Sequence, residues 1–77
     1  MPCKEYKIVF AWDNEAGVWI ATSDDIYGLI LEHESLDILM ERVRLAVPEL
    51  LTLEGASCEN VALDYGMHRH ERLFASG

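Results

Sequence analysis

Residues 4–23, KEYKIVFAWDNEAGVWIATS, decide the fold of this 77-residue chain. Aromatic and aliphatic side chains alternate over residues 4–12, and this period of two predicts a β-strand. The polar cluster that follows ends at Gly17, which can adopt the positive φ that a tight turn needs. Residues 18–23 predict a second strand that pairs with the first, so the chain opens with a β-hairpin.

The hydrophobic period changes at Ser35, which is a favourable N-cap for a helix. Apolar side chains at helical spacing predict a helix over residues 35–53. Pro48 removes one backbone hydrogen bond, so the helix either kinks there or ends near Ala46 and begins again. Gly55 predicts the C-terminal stop. The side chains expected to face the sheet are Leu36, Leu39, Met40, Val43 and Val47.

Further strands are predicted on both sides of this helix. Residues 29–33 predict a third strand, and residues 60–69, or as far as Arg72, predict a last strand with a bulge at Gly66. The order β-β-β-α-β predicts an α+β fold: a three-stranded antiparallel sheet, one helix packed on one face, and a fourth short strand. The chain length predicts a single domain over residues 1–77. We expect Trp12 or Trp19 on the face of the sheet that the helix does not cover.

The charge of the chain is strongly acidic, with a net charge of −8. Residues 13–54 carry ten acidic side chains against only Arg42 and Arg44. Such a surface repels phosphate backbones, which argues against direct nucleic-acid binding and favours a basic protein partner. The alternative is that the acidic surface only keeps a small domain in solution.

Nothing in the sequence predicts export or membrane insertion. The amino-terminal residues lead directly into a strand pattern, and no apolar run approaches the ~20 residues that span a bilayer. We therefore expect a cytoplasmic protein in which Cys3 and Cys58 are reduced.

Two groups of side chains are candidates for chemistry. His68 and His70 are spaced to share one face of a strand, which can chelate a metal, but such pairs are more often exposed to solvent. Asp24 and Asp25 could bind Mg²⁺ or act in acid–base catalysis, but acids at strand ends more often form turns. We expect no catalytic residues, no metal and no cofactor; the alternative is a small metal-dependent enzyme or metal-binding protein that uses these side chains.

Residues 10–29, FAWDNEAGVWIATSDDIYGL, resemble the first hairpin of HicB-like antitoxins, and are closer still to a small bacterial family of stand-alone HicB-related domains of unknown function. The helix ending in Pro48-Glu49-Leu50-Leu51 is also similar, so the resemblance covers residues 4–54. It implies a truncated ribonuclease-H-like fold without ribonuclease chemistry, and a role in neutralising a small basic toxin that cleaves messenger RNA. Members usually carry a separate C-terminal DNA-binding segment. Only residues 73–77 follow the last predicted strand, so we expect no DNA-binding domain here.

These observations together predict a non-catalytic interaction module that binds a basic, toxin-like partner or itself. The residues expected to bind the partner are Trp19, Asp24, Asp25 and Tyr27, because aromatic anchors and acids suit a cationic surface. We also expect a homodimer, since a domain this small gains from covering a sheet edge. The expected dimer contacts are Tyr65 and Met67 on the last strand.

Overall fold

A computed structural model of the protein describes residues 5–55 and 61–73. The chain forms β1 (Glu5–Asp13), β2 (Val18–Thr22), β3 (Ile30–His33), α1 (Leu36–Leu53) and β4 (Ala62–His68). This order confirms the predicted α+β class and the β-β-β-α-β sequence of elements. No helix among the described residues is long and apolar enough to cross a membrane.

The four strands form one sheet in the order β3-β2-β1-β4. The first three strands pair antiparallel, as predicted. β4 pairs with β1 in parallel, so the N-terminal strand lies inside the sheet and the C-terminal strand forms an edge. The connection through α1 therefore joins two strands that lie at opposite edges of the sheet.

The β1–β2 hairpin closes through hydrogen bonds to Asp13. The Gly17 N–H donates to the Asp13 carbonyl at 2.8 Å. The Asp13 carboxylate accepts from the N–H groups of Glu15 and Ala16 at 3.0 and 3.2 Å. Gly17 has a φ of 68°, a conformation that side chains with a Cβ rarely adopt, so the predicted glycine turn is confirmed.

The helix begins where the sequence predicts. The Ser35 hydroxyl accepts a long hydrogen bond of 3.4 Å from the Ile38 N–H, as an N-cap does. At the other end Gly55 has a φ of 82°, and its N–H donates to the Thr52 carbonyl at 3.0 Å. Both ends of the predicted helix are therefore confirmed.

Pro48 does not interrupt the helix, so the predicted end near Ala46 is wrong. Pro48 and Arg44 are both exposed. The Arg44 carbonyl, which would otherwise accept the missing N–H four residues later, lies on a solvent-accessible part of the helix, where water can replace that hydrogen bond.

The core lies between α1 and one face of the sheet. Leu39, Val43 and Val47 are buried, and Leu36 and Met40 pack partly buried beside them, which confirms the predicted helix face. The remaining buried residues are Tyr6, Ile8, Phe10, Ala21, Ile26, Leu29 and Leu51.

The last strand departs from its prediction in two ways. It pairs with β1 without interruption, from Glu5 opposite Ala62 to Ala11 opposite His68, so Gly66 is a regular strand residue and the predicted bulge is wrong. The strand also ends at His68, short of the predicted end. The predictions for Cys3, Cys58, the start of the last strand at residue 60 and the loop before it lie outside the described residues.

Candidate interaction surface

The face of the sheet opposite α1 carries an apolar centre. Tyr6, Ile8 and Phe10 of β1 are buried on the helix side, so the residues between them point to the other side. Pairing between strands aligns the side chains there in rows. We define the open face as two such rows, Gly66-Val9-Thr22-Ile30 and His68-Ala11-Ile20-Glu32.

The exposure of the open face is uneven. Ile30 is 74% exposed and Val9 is 46% exposed, whereas Ala11 and Ile20 on the two central strands are half-buried. Sequence reasoning missed this surface, although the signal was present. Residues 6, 8 and 10 are all large and apolar, and that parity alone places Val9 on the opposite side.

Neither tryptophan lies on the open face. Trp12 follows Phe10 by two residues, and it is paired with Trp19 across the β1–β2 hairpin, so both rings share the helix side of the sheet. Their centroids lie 5.5 Å apart in an edge-to-face arrangement. Trp19 also packs against the core. The expectation that one tryptophan occupies the open face is therefore wrong.

Arg69 covers this tryptophan pair. Its guanidinium lies 4.4 Å from the Trp12 ring centroid and 5.9 Å from that of Trp19. The Trp12 indole N–H donates to the Asn14 side chain at 3.0 Å. A cation above an aromatic face is attracted by the ring quadrupole, so these contacts hold the segment after β4 against the end of the hairpin.

The segment between β2 and β3 is held by Ser23 and Asp25. The Ser23 hydroxyl donates to the Lys7 carbonyl at 2.6 Å and accepts from the N–H groups of Asp25 and Ile26. The Asp25 carboxylate accepts the Lys7 N–H at 2.8 Å. Asp25 thus extends the hydrogen bonding of the sheet beyond the end of β2, and its carboxylate is already engaged within the fold.

Asp24 and Tyr27 remain exposed in the same segment, with Tyr27 at 87%. The Tyr27 backbone N–H donates to the Glu54 carboxylate at 2.9 Å, which ties the segment to the helix end. Trp19 lies near the start of β2, whereas Asp24 and Tyr27 follow its end. The structure therefore brings together three of the four expected partner-binding residues and leaves Trp19 at the other end of the sheet.

The histidines lie apart from these acids. His68 pairs with Ala11 at one end of β1, whereas Asp25 contacts Lys7, four residues earlier on that strand. His70 follows the end of β4, so the two imidazoles do not share a strand face. The His33 side chain accepts the Ser35 N–H at 2.9 Å. Within residues 5–55 and 61–73, no group of three or more histidine, cysteine or acidic side chains is arranged to hold a metal ion.

The expected dimer residues lie on the outer strand. Tyr65 and Met67 point to the helix side of β4, and the Tyr65 ring meets that of Phe10 edge-to-face at 5.4 Å. Met67 is 51% exposed. Leu63 and Tyr65 pack partly buried against the core, so the helix side of β4 is covered in part and Met67 is its exposed end.

These features define a small α+β domain with one helix on one sheet face and an apolar row on the other. Comparison with family models assigns its family. Residues 5–75 match the model described as "Domain of unknown function (DUF1902)", and the chain belongs to that family.

A solved structure is similar to this chain in fold and in sequence. It is the crystal structure of the hypothetical protein TTHA1013 from the extremely thermophilic bacterium Thermus thermophilus. The two chains are 35% identical, the TM-score is 0.71, and the match covers 94% of this chain and 100% of the other. No curated protein matches the chain.

Proposed function

We propose that this domain is a non-catalytic protein-interaction module, antitoxin-like as its resemblance to HicB-like domains implies, and that its partner is a small basic protein. The observation that supports this best is the open face. Ile30 and Val9 stand in one row of it, 74% and 46% exposed. Thr22 lies between them in that row, and the half-buried Ala11 and Ile20 lie in the next row. Apolar side chains grouped in this way on an exposed face support a binding role.

The charges around the open face favour a cationic partner. Glu32 ends one of its rows, and Asp64 lies on the same side of β4, opposite Lys7. The chain as a whole carries −8. An apolar centre with Glu32 and Asp64 at its margin, on a chain with a large excess of acids, suits a partner with an apolar patch and basic side chains around it. The charges accelerate association, and the apolar contact slows dissociation.

The segment after β2 extends this surface. Ile30 pairs with Thr22 at the end of the sheet from which that segment leaves, and Asp24 and Tyr27 are exposed there. We keep these two residues in the proposed partner surface. Asp25 is engaged by Lys7 and Trp19 lies on the helix side, so neither is part of it.

The test is co-purification from the native host with three forms of the chain: wild type, Ile30→Glu and Leu45→Glu. Leu45 is 67% exposed on the helix, so its substitution makes the same chemical change away from the open face. A small basic protein should accompany wild type and Leu45→Glu, and Ile30→Glu should weaken its binding by about tenfold or more in calorimetry. Because Ile30→Glu adds an acid, a loss of binding to a cationic partner reports the apolar contact.

Three results would contradict the proposal. The first is equal loss of the partner in both variants, and the second is a partner that is itself acidic. The third is cleavage of RNA by the purified domain with Mg²⁺ that disappears in Asp24→Asn, which would favour an enzyme. The circular dichroism spectrum and melting temperature of each variant establish that it is folded.

A further inference from the structure

The two edges of the sheet differ in how they are protected. β3 is only four residues long and packs against α1. β4 is seven residues long, and within the described chain its outer edge has no strand beside it. Soluble proteins usually protect a long edge strand with charged side chains, above all lysine, or with proline or a bulge. β4 has no lysine, no proline and no bulge, and Asp64 is the one acidic residue in it.

We propose that two copies of the chain pair β4 with β4 in antiparallel orientation, with the two-fold axis at Gly66. The pairing forms one continuous sheet to which each copy contributes its four strands. In this register each residue faces the one equally far on the other side of Gly66. Asp64 faces the partner's His68, Tyr65 faces the partner's Met67, and Gly66 faces the partner's Gly66. Every pair away from the axis occurs twice.

The chemistry of β4 selects this register. A carboxylate accepts a hydrogen bond from an imidazole N–H, so Asp64 and the partner's His68 are complementary. An aromatic ring beside a thioether is also a favourable contact, which Tyr65 and the partner's Met67 provide. If the axis lay at Tyr65 instead, Asp64 would face the partner's Gly66 and no imidazole would face the acid across the axis.

The pairing also covers the surface that α1 leaves exposed. Met67 is 51% exposed on the helix side of β4, whereas Tyr65 on the same side is partly buried against the core. A two-fold axis perpendicular to the sheet keeps both helices on one side, so the two β4 strands and their exposed Met67 side chains lie next to each other between the helices. The open faces of both copies then form one surface on the opposite side.

Cross-linking at the axis tests the register directly. With Cys3 and Cys58 replaced by Ser, Gly66→Cys places one thiol opposite another, since facing Cα atoms in an antiparallel pair lie ~4.5–5.5 Å apart and a disulfide spans that distance. A Cβ at Gly66 meets nothing within 4 Å, so the substitution fits the fold. Thr22→Cys in the same background is the control, on the same face but inside the sheet. Oxidised glutathione should yield a covalent dimer for Gly66→Cys alone; a monomer there, or equal cross-linking of Thr22→Cys, overturns the proposal.

An exchange of the facing pair tests its chemistry. Asp64→His and His68→Asp should each weaken the dimer about tenfold, because each puts like groups opposite one another twice. The double variant Asp64→His/His68→Asp should bring the dissociation constant back to within about threefold of wild type. Analytical ultracentrifugation measures the dimer dissociation constant of each variant, and thermal melting shows that each variant folds. Wild type that remains monomeric at high micromolar concentration, or a double variant no tighter than the singles, overturns the proposal.

Pairing through β4 and partner binding at Ile30 involve opposite edges of the sheet, so the two can be tested separately. Ile30 lies on β3, at the edge of the sheet away from β4. Ile30→Glu should therefore leave the dimer dissociation constant within about threefold of wild type. A dimer lost in Ile30→Glu and retained in Gly66→Cys would place the contact on the open face and reject the strand pairing.

Discussion

At the scale of single residues, adjacent acids have different roles. The Asp24 side chain is exposed to solvent, and the Asp25 carboxylate completes the hydrogen bonding of the Lys7 N–H. Sequence alone presents them as an equivalent pair, and only the direction of the chain after β2 separates them. An experiment that replaces both at once would therefore mix a change in surface charge with a change in folding stability.

Asp25→Ala should lower the free energy of unfolding by about 1 kcal/mol, because the Lys7 N–H loses a charged acceptor at the end of the sheet. Asp24→Ala removes the same charge without that bond and should change the free energy by less than about 0.5 kcal/mol. Urea denaturation of both variants measures the difference. Equal effects would mean that the Asp25 contact contributes nothing to stability.

At the scale of elements, the sequence predicted each strand and helix well but predicted faces and edges poorly. The switch of period at Ser35 locates the helix, and the hydroxyl there caps it. The parity of Ile8 and Phe10 in the sequence already places Trp12 on their side of β1, so the expectation of a tryptophan on the open face overlooked a signal that was present. Whether β4 lies beside β1 or β3 depends on contacts between distant residues, which local periodicity does not contain.

The helix offers a matched pair of leucines to test its packing. Leu39 is fully buried against the sheet, whereas Leu45 is 67% exposed on the same helix. Leu39→Ala should cost ~2–5 kcal/mol of unfolding free energy, because it removes buried methyl groups and leaves a cavity. Leu45→Ala should cost less than about 0.5 kcal/mol, since it loses little burial and alanine favours helices. Similar losses in the two variants, measured by urea denaturation, would show that α1 is oriented differently.

At the scale of the whole molecule, acidic side chains repel one another with little compensation. Within residues 5–55 and 61–73 the one ion pair is Glu41 with Arg44, at 3.2 Å between exposed side chains. Such a pair contributes little. The excess of acids should therefore lower the stability of the compact state when the charges are poorly screened.

Raising the salt concentration should therefore stabilise the fold. Between about 10 mM and about 150 mM NaCl the Debye length falls from ~30 Å to ~8 Å, and the free energy of unfolding should rise by on the order of 1 kcal/mol. A variant with Glu34→Gln and Glu49→Gln, both exposed positions, should show a smaller rise. The urea midpoint at low protein concentration measures both. A midpoint that falls with salt would mean that attractive ion pairs dominate.

The position of β1 inside the sheet has a consequence for synthesis. Of the four described strands, β1 leaves the ribosome first, whereas β4, one of its two neighbours in the sheet, leaves last. Until β4 arrives, the backbone edge of β1 beside the buried Ile8 and Phe10 is open to any strand that meets it. Closing the sheet also requires the two ends of the domain to meet, which is slow for such distant segments. A nascent chain that stops short of β4 can therefore pair wrongly along β1, and this edge is closed only when β4 pairs with it.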